Sequence, residues 1–517
     1  MLPLGMPRNS AKPSVSRREV FRAAGGFTLL SLLPAAARAE SAPEPGRSNE
    51  PARAKARPVF TALPYLQPGP ASALKDGEES IVIAWQTNGV RGDYALTYDG
   101  GRKAAINVRA MKEGDPGEGE QRLNHIAVLD GLKLGRRYDY RVTLDGEPLL
   151  DGHFTTRKPR GMKIRFVAFG DNSYGDISDR ATAYYAYKAM PDFVMNTGDN
   201  VYEGGLDNEY ARHFFPVYNA DEAGPRTGAP LLRAVPFYTT IANHDVHGKG
   251  PDGPVADFAK EPDSLGYYTA MHLPGNGPVP SHPTPAVGPE AALGTFKTVA
   301  GDRYPRQANY SFDVGDAHFT VLDANVYVDP TDSALQKWIE DDLKVTDAIW
   351  RFVVFHHPSF NVGHEHYAAQ HMRVLSPIFE RCGVDVCFHG HEHVYQRTRP
   401  FRFKPSDESQ AKAVGKGKRL VPGEFTVDRS FDGKTVTRPN GIVYVTTGAG
   451  GKHLYDPDQN GAPGSWLHEE DRNADYNAKF VSDRHSLTVV DLDAKTFTLR
   501  QVDEWGGEID RIVITKP

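Results

Sequence analysis

The sequence predicts an all-β sandwich followed by an α/β domain, and three observations support this prediction. The chain has 517 residues, which is too long for one ordinary hydrophobic core. Residues 58–158 contain short alternating strands separated by turn residues, as all-β sandwiches do. In residues 159–517, buried strands alternate with helices, which is the pattern of an α/β sheet. We therefore expect at least two folded domains.

The composition argues against two classes of protein. The net charge is −6 and the chain has no block of basic residues, so nothing indicates nucleic-acid binding. Only two cysteines are present, Cys382 and Cys387, so the chain is not a disulfide-stapled scaffold. We interpret both as small buried hydrophobic residues, and a disulfide between them is the less favoured alternative.

Residues 1–39 have the pattern of an export signal. Paired arginines, Arg17 and Arg18, precede the apolar stretch 23–33, and a small-x-small site predicts cleavage after Ala39. The apolar stretch is too short to span a bilayer, so we expect no stable membrane anchor. The paired arginines resemble a twin-arginine signal, which implies the twin-arginine export machinery as a partner and a periplasmic or secreted location. An ordinary export signal or an uncleaved anchor is the alternative.

The next two segments are predicted to be a linker and a structural domain. Residues 40–57 are rich in Pro, Ala, Glu and Arg without periodicity, which is typical of a disordered linker. Residues 58–158 include the alternating strands 80–85 and 138–142. Tyr138 lies in a Leu-x-x-Gly-x-x-Tyr pattern that resembles a tyrosine corner, and so a fibronectin type III domain. We expect this domain to act as a lid or spacer.

Five predicted strands of the second domain each lead into polar side chains. The first two, at 163–169 and 192–196, flank a predicted helix at 181–190. Three more strands are predicted at 235–241, 350–355 and 384–388. The polar residues at their carboxyl ends are Asp171, Asp199, Tyr202, Asn243, His356, His391 and His393. Because an α/β sheet places ligands at this edge, we expect these residues to meet at one sheet.

This set of side chains predicts a metal site. His391 and His393 are two residues apart, and in extended backbone such imidazoles point the same way. Each residue alone has a plainer interpretation: a histidine-rich loop, a turn or helix cap at Asp171 or Asp199, or loop ordering by Asn243. The convergence of five strand ends favours a metal. Carboxylate, phenolate and imidazole ligands suit iron, manganese and zinc.

The polar residues also occur in motifs of a known family. In chain order, five blocks resemble those of the metallophosphoesterases: Gly170-Asp171, Gly198-Asp199-x-x-Tyr202, Asn243-His244-Asp245, Val353-x-x-His356 and Gly390-His391-x-His393. The tyrosine in the second block and the N-terminal sandwich resemble the purple acid phosphatase branch. This resemblance implies that residues 159–517 form a calcineurin-like catalytic domain, a four-layer α/β/β/α sandwich with two stacked mixed sheets and helices outside.

The resemblance implies a dinuclear centre. A ferric ion would be held by Asp171, Tyr202 and His393, and a divalent Fe, Zn or Mn ion by Asn243, His356 and His391. Asp199 would bridge the two ions. His244 would hydrogen-bond the phosphate, and either His364 or His366 would also face the site, a choice that the spacing leaves open. His357 is a further candidate, with lower weight, as a ligand or as a support for the ligands.

The function implied is that of an exported acid phosphatase that hydrolyses small phosphomonoesters by direct attack of metal-bound hydroxide. A phosphodiesterase or nucleotide hydrolase on the same scaffold is the alternative, and a non-enzymatic surface-binding protein is disfavoured by the complete ligand set. The segment 246–306 is expected to frame the pocket.

Local patterns predict further elements of the second domain. A hairpin is expected around 314–316, an amphipathic helix has Leu335, Ile339 and Leu343 on one stripe, and another helix is predicted at about 370–381. The polar segment 399–438 has few strand signals and is predicted to form surface loops. We interpret the glycines within 446–451 as a tight turn, and a phosphate-binding loop is the less favoured alternative.

Two positions depart from a simple pattern. Ala242 stands where the family usually has Gly, which matters if that position needs a positive φ. His389 is an extra imidazole that we interpret as a satisfied core residue.

Overall fold

The computed structural model describes residues 60–70, 77–111, 122–246, 248–250, 253–455 and 469–517. The predicted export signal and the linker, residues 1–57, lie outside the described residues, so both stay predictions. Within the described residues, no helix is both long enough and apolar enough to cross a membrane.

The N-terminal part is a sandwich of two antiparallel four-stranded sheets, in the orders β1-β2-β6-β5 and β4-β3-β7-β8. The strands are β1 (Phe60–Gln67), β2 (Glu78–Asn88), β3 (Tyr94–Tyr98), β4 (Arg102–Lys103), β5 (Ala105–Ala110), β6 (Arg122–Lys133), β7 (Arg137–Leu144) and β8 (Glu147–Thr155). Strand β7 has the alternating pattern that a sandwich requires. Tyr138, Tyr140 and Val142 are buried between the sheets, and the residues between them are exposed. The Lys133 N–H donates to the Tyr138 phenol oxygen at 2.9 Å, the kind of bond that defines a tyrosine corner.

The remaining strands belong mainly to two larger sheets. They are β9 (Ile164–Phe169), β10 (Phe193–Asn196), β11 (Phe237–Thr239), β12 (Ala256–Asp257), β13 (Ala286–Val287), β14 (Tyr310–Val314), β15 (Ala317–Val321), β16 (Trp350–Val354), β17 (Val386–His389), β18 (Tyr395–Thr398), β19 (Phe401–Pro405), β20 (Gly423–Val427), β21 (Val443–Thr447), β22 (Asn477–Val481), β23 (Ser486–Leu492), β24 (Thr496–Asp503) and β25 (Glu508–Thr515).

The α-helices are mostly short. They are α1 (Ile177–Lys188), α2 (Asp207–Glu209), α3 (Phe215–Tyr218), α4 (Gly266–Ala270), α5 (Glu290–Ala300), α6 (Arg303–Arg306), α7 (Ser333–Val345), α8 (Ser376–Arg381) and α9 (Glu469–Ala474). Helix α7 follows its sequence pattern: Asp332 caps its amino end through two backbone N–H groups, and Leu335, Ile339 and Leu343 are buried on one stripe.

The two larger sheets stack face to face. One has the order β11-β10-β9-β23-β24-β25 and the other β14-β15-β16-β17-β21-β18-β22. Phe166 of the first sheet contacts Phe319, Phe352 and Phe388 of the second, with ring centroids 5.3, 6.0 and 5.9 Å away. Helix α1 packs on the first sheet and α7 on the second. The predicted fold, an all-β sandwich followed by a four-layer α/β/β/α sandwich, is confirmed.

Three sequence predictions about this part need correction. The five strand ends do not belong to one sheet: β9, β10 and β11 lie in the first, and β16 and β17 in the second. The segment 399–438, predicted to be surface loops, contains the hairpin β19–β20, which buries Phe401 and Phe403 against Phe360. The helix predicted over 370–381 begins as a 3₁₀ turn at His371–Leu375 and becomes α-helical only at α8. The first two errors concern strand pairing between residues that are distant in sequence. The third concerns the local geometry of a helix.

The two cysteines are as expected. Cys382 and Cys387 are both buried, and neither forms a disulfide. Burial raises the pKa of each thiol, so both are neutral members of the core.

Candidate metal centre

The loops after β9 and β10 bring two carboxylates together. Asp171 and Asp199 have φ values of +58° and +50°, a left-handed conformation that costs energy for any residue except glycine and often marks a functional site. The loops are bonded to each other, because the Asp171 N–H donates to the Gly198 carbonyl at 3.0 Å. Both carboxylates are buried. Two adjacent buried acids are unfavourable unless positive charge compensates them.

One group of donors surrounds Asp171. The Tyr202 phenol oxygen lies 3.3 Å from Asp171 Oδ1, 3.0 Å from Asp199 Oδ2 and 3.4 Å from His393 Nε2. His393 Nε2 is 3.5 Å from Asp171 Oδ1. The other ring nitrogen of His393 donates to the His453 carbonyl at 2.7 Å, which fixes the ring with Nε2 towards the carboxylate.

A second group of donors also contacts Asp199. His356 Nε2 is 3.4 Å from Asp199 Oδ2, and its Nδ1 donates to the Thr197 carbonyl at 2.8 Å. One donor atom each of Asp199, His356 and His391 lies within 4.8 Å of the others. Asn243 Oδ1 is buried and has no hydrogen-bond partner among the described residues. Asn243 directly precedes His244, whose N–H donates to Asp199 Oδ1, so its orphaned buried oxygen fits a metal ligand, because such an atom is otherwise costly.

The two buried carboxylates and the histidines around them shift one another's pKa values. Burial lowers the pKa of His356, but the charges of Asp199 and Asp171 outweigh it and raise the pKa to about 9. Burial also raises the pKa of Asp199, yet the positive charges of His356 and His244 reverse that effect and hold the pKa below its usual range. Hard and borderline donors, an excess of negative charge and an orphaned amide oxygen together fit one or more cations.

His391 reaches the site for a reason other than the expected one. Its φ is +67°, so the backbone is not extended and the argument from alternating side chains is wrong. The His391 N–H instead donates to both Asp171 carboxylate oxygens, at 3.0 and 2.9 Å. The Asp171 carboxylate therefore fixes the position of the His391 backbone. Gly390 permits this approach, because a Cβ there would lie 2.5 Å from Asp171 Oδ2.

Two further histidines pack against His391, and a third does not. The His366 ring centroid lies 3.9 Å from that of His391, and the His357 centroid lies 4.1 Å from it. His364, by contrast, is exposed. Burial, together with the positive charge of His393, lowers the pKa of His366 to about 4. The structure therefore places His366, rather than His364, against the donor set, while His357 lies behind His391.

His244 lies next to the shared carboxylate. Its backbone N–H donates to Asp199 Oδ1 at 2.9 Å, and its ring packs 4.5 Å from the Tyr202 ring. The His244 Nδ1 donates to the Glu203 carbonyl at 3.0 Å, which fixes the direction of the ring. About a quarter of the side chain is exposed, so the imidazole can meet a ligand from solvent.

The structure shows the backbone conformation of Ala242 and the surroundings of His389, the two residues that depart from the family pattern. Ala242 does not have a positive φ, and its N–H donates to Asp245 Oδ2 at 2.9 Å, so alanine is harmless there. His389 is a core residue as predicted, with its ring 4.5 Å from that of Phe355. The expectation that it is satisfied is wrong, since neither ring nitrogen has a hydrogen-bond partner among the described residues. Burial lowers its pKa to about 3, so the ring is neutral.

Sequence reasoning missed the contribution of the loop after β21. We interpreted the glycines of residues 446–451 as a tight turn, but they pass directly over the first motif. A Cβ on Gly448 would lie 2.7 Å from Asp171 Oδ2. The loop then carries Lys452 over the Tyr202 ring, 4.6 Å from its centroid, and Tyr455 onto the His393 ring, centroids 4.0 Å apart. The available signal was a glycine run after a strand in a domain whose other strands end at ligands.

Comparison with known proteins agrees with this geometry. Residues 164–395 match the family model described as calcineurin-like phosphoesterase. This part of the chain is therefore similar to calcineurin-like phosphoesterases.

Purple acid phosphatases are among the known proteins to which the chain is similar. The chain is 26% identical over 242 residues to purple acid phosphatase 17 of Arabidopsis thaliana, covering 45% of this chain and 63% of that protein. It is 34% identical over 126 residues to purple acid phosphatase 23 of the same plant, covering 22% of this chain and 27% of that protein. The matches thus span less than two thirds of these relatives. The purple acid phosphatase PPD1 from yellow lupin (Lupinus luteus) seeds shares the fold, with a TM-score of 0.60, 15% identity and coverage of 87% of this chain and 74% of that one.

Proposed function

We propose that this protein is an acid phosphatase that hydrolyses small phosphomonoesters at a dinuclear centre of a ferric and a divalent ion. The observation that carries the proposal is the position of Asp199 between two groups of donors. Its Oδ2 lies 3.0 Å from the Tyr202 phenol oxygen and 3.4 Å from His356 Nε2, so it contacts both groups. A carboxylate placed in this way can bridge two ions.

The donor set supports a division of ligands between the ions. The ferric ion would be held by Asp171, Tyr202 and His393, and the divalent Fe, Zn or Mn ion by Asn243, His356 and His391. The phenol oxygen of Tyr202 belongs to the first group, and an anionic phenolate suits a trivalent ion best. When bound, a metal pair supplies an acidified water as nucleophile and neutralises charge on the phosphoryl oxygens.

Two histidines of the chain would bind the phosphate and donate the proton. In the reaction, the water oxygen bonds to phosphorus, the bond from phosphorus to the ester oxygen breaks, and the ester oxygen needs a proton to leave as an alcohol. A protonated His244 would also carry an Nε2–H that can donate to a phosphoryl oxygen, since its Nδ1–H is directed to Glu203. We assign proton donation to His366, whose ring lies against His391; because its pKa is lowered to about 4, this role requires acidic pH.

The proposal includes export. Its support is the sequence of residues 1–39, with Arg17 and Arg18 ahead of a short apolar stretch and a cleavage site after Ala39. Export through the twin-arginine machinery moves folded proteins, which would allow metal loading before export. We also propose the domain division at residue 158, with the sandwich acting as a spacer or lid.

The test of the proposed function replaces the shared carboxylate. Asp199→Asn keeps the shape of the side chain and removes its charge, so turnover of 4-nitrophenyl phosphate should fall by about a thousandfold or more. The measurements are kcat, bound metal per chain, and the visible absorption expected of a tyrosine–ferric bond.

The matched control is Asp341→Asn on the exposed face of α7, where the carboxylate pairs with Lys337. It should leave turnover unchanged. Full activity in Asp199→Asn would refute the proposal. Preferred turnover of a diester such as bis(4-nitrophenyl) phosphate would instead favour the phosphodiesterase alternative.

A further inference from the structure

An exposed aromatic side chain lies beside the donor set. Tyr174 is three residues after Asp171 in the loop that follows β9, and 43% of it is exposed, whereas Asn172 and Ser173 before it are buried. Its ring meets the Tyr202 ring edge to face, with centroids 6.2 Å apart and an interplanar angle of 86°. Tyr174 therefore contacts the candidate metal ligand Tyr202 and is also open to solvent.

The Tyr174 ring is held in place by a buried cation. The Lys452 ammonium lies 3.4 Å from the Tyr174 ring centroid, well within cation–π range, and Lys452 is only 5% exposed. The same ammonium forms an ion pair with Glu203. Lys452 is itself tied to the first motif, because its N–H donates to the Asp171 carbonyl at 2.9 Å.

The backbone on both sides of Tyr174 is also fixed. Asp179 of α1 accepts the Ser173 N–H at 2.9 Å and the Gly175 N–H at 2.7 Å. A side chain that is held by its backbone and by a cation loses little conformational entropy when a ligand binds. Tyr174 thus combines a large exposed ring surface with a fixed orientation.

These features suit one kind of ligand group. An ammonium attracts the electrons of the ring that it covers, and the exposed ring surface can then stack against an electron-rich aromatic group. Such stacking between a base and a protein aromatic ring also removes apolar surface from water. Other large side chains are more exposed, such as Met190 and Trp505, but among the exposed large apolar and aromatic side chains of the described residues it is Tyr174 that packs on Tyr202.

We propose that Tyr174 is a specificity-determining residue on which an aromatic group of the substrate's alcohol stacks. The preferred substrates are then phosphomonoesters whose alcohol carries an aromatic ring, such as nucleoside monophosphates, over purely aliphatic phosphates. The inference rests on the proposed function, because it assigns a preference among the esters that the metal centre hydrolyses.

The experiment compares adenosine 5′-monophosphate with ribose 5-phosphate. Both release the same primary alcohol oxygen, so they differ in the base and hardly in the chemistry of the leaving group. Wild-type protein should have a kcat/KM about tenfold higher for the nucleotide, and Tyr174→Ala should remove that advantage. The loss should appear mainly in KM, since the stacked group is equally bound in the ground state and the transition state.

Two variants serve as controls. Tyr174→Phe keeps the ring and should keep the preference for the nucleotide. Tyr187→Ala removes a tyrosine of similar exposure, 40%, at the far end of α1 and should change neither substrate. Circular dichroism and metal content verify that each variant is folded and loaded.

The outcomes separate the two proposals. Loss of the nucleotide preference in Tyr174→Ala, with ribose 5-phosphate turnover kept within about twofold, supports the inference. Equal rates for both substrates in wild-type protein, or an equal loss on both in Tyr174→Ala, overturns it while the proposed function stands. Failure of metal-loaded wild-type protein to hydrolyse either ester or 4-nitrophenyl phosphate refutes the proposed function as well.

Discussion

At the residue scale, two histidines of one loop have opposite surroundings. His366 packs against His391, with ring centroids 3.9 Å apart, whereas His364 is exposed. Spacing alone does not separate them, because both follow the fourth motif and the loop between them and the site has no regular secondary structure to fix a direction. Only the packing of the loop distinguishes the two.

Substitution of these two histidines provides a matched pair. His366→Ala should lower kcat by about a hundredfold, because it removes the residue to which we assign proton donation to the leaving oxygen. His364→Ala should stay within about twofold of wild type. Steady-state kinetics with 4-nitrophenyl phosphate and with an alkyl phosphate measure both, and the loss should be larger for the alkyl ester, whose leaving group needs the proton more. Equal effects of the two substitutions would contradict the assignment.

At the element scale, helix α7 is fastened to the second sheet by a buried ion triad. His318 of β15 lies between Asp313 of β14, at 2.8 Å, and Asp342 of α7, at 3.0 Å. Burial lowers the pKa of His318, but the two carboxylates outweigh it and raise the pKa to about 9. The helix and the hairpin were predicted from periodicity, but the triad was not, since it depends on how the helix lies across the sheet.

The triad predicts a pH-dependent stability. The folded pKa of His318, about 9, exceeds the unfolded value of 6.5, so its stabilisation is complete below pH 6.5 and is lost as pH rises through 9. His318→Gln should therefore lower the free energy of unfolding by about 2–3 kcal/mol at pH 6, and by much less near pH 10. Urea or thermal unfolding of both proteins across this range gives the difference. A difference that does not change with pH would show that the charge of His318 is not what stabilises the fold.

At the scale of the whole molecule, buried polar contacts join the N-terminal sandwich to the α/β sheets. Arg157, after β8, pairs with Glu79 of β2, and the two side chains are 4% and 1% exposed. The same guanidinium donates to the Asp313 carbonyl of β14 at 2.9 Å. Nearby, the Tyr65 hydroxyl donates to the Ala270 carbonyl at 2.9 Å. Because these bonds cross the boundary, the sandwich and the sheets should unfold together.

Removal of Glu79 tests this coupling. Glu79→Ala leaves the Arg157 guanidinium buried without its carboxylate, which should cost about 3–5 kcal/mol and lower the midpoint of a single unfolding transition. Asp151→Ala breaks the exposed pair with Arg141, which solvent screens, and should shift the unfolding midpoint far less. Differential scanning calorimetry compares both with wild type. Two separate transitions in wild-type protein, or equal effects of the two substitutions, would contradict the coupling.

Local patterns predicted most strands within one or two residues, because burial periodicity and turn residues act over a few positions. The strand predicted at 163–169 is β9 (Ile164–Phe169), and that predicted at 192–196 is β10 (Phe193–Asn196). The assignment of all five strand ends to one sheet failed, because strand pairing joins residues far apart in the chain. The β19–β20 hairpin was missed, since its segment is polar overall and buries only a few aromatic side chains.

The sequence by itself determined the fold class and the residue types that can bind metal, because periodicity and motif spacing are written along the chain. The tertiary structure decided the geometry. The positive φ of His391, the choice of His366 over His364, and the passage of the 446–451 loop over Asp171 all arise from contacts between the ends of different strands. Such contacts depend on how two sheets stack and how loops pack at their shared edge, which no local pattern encodes.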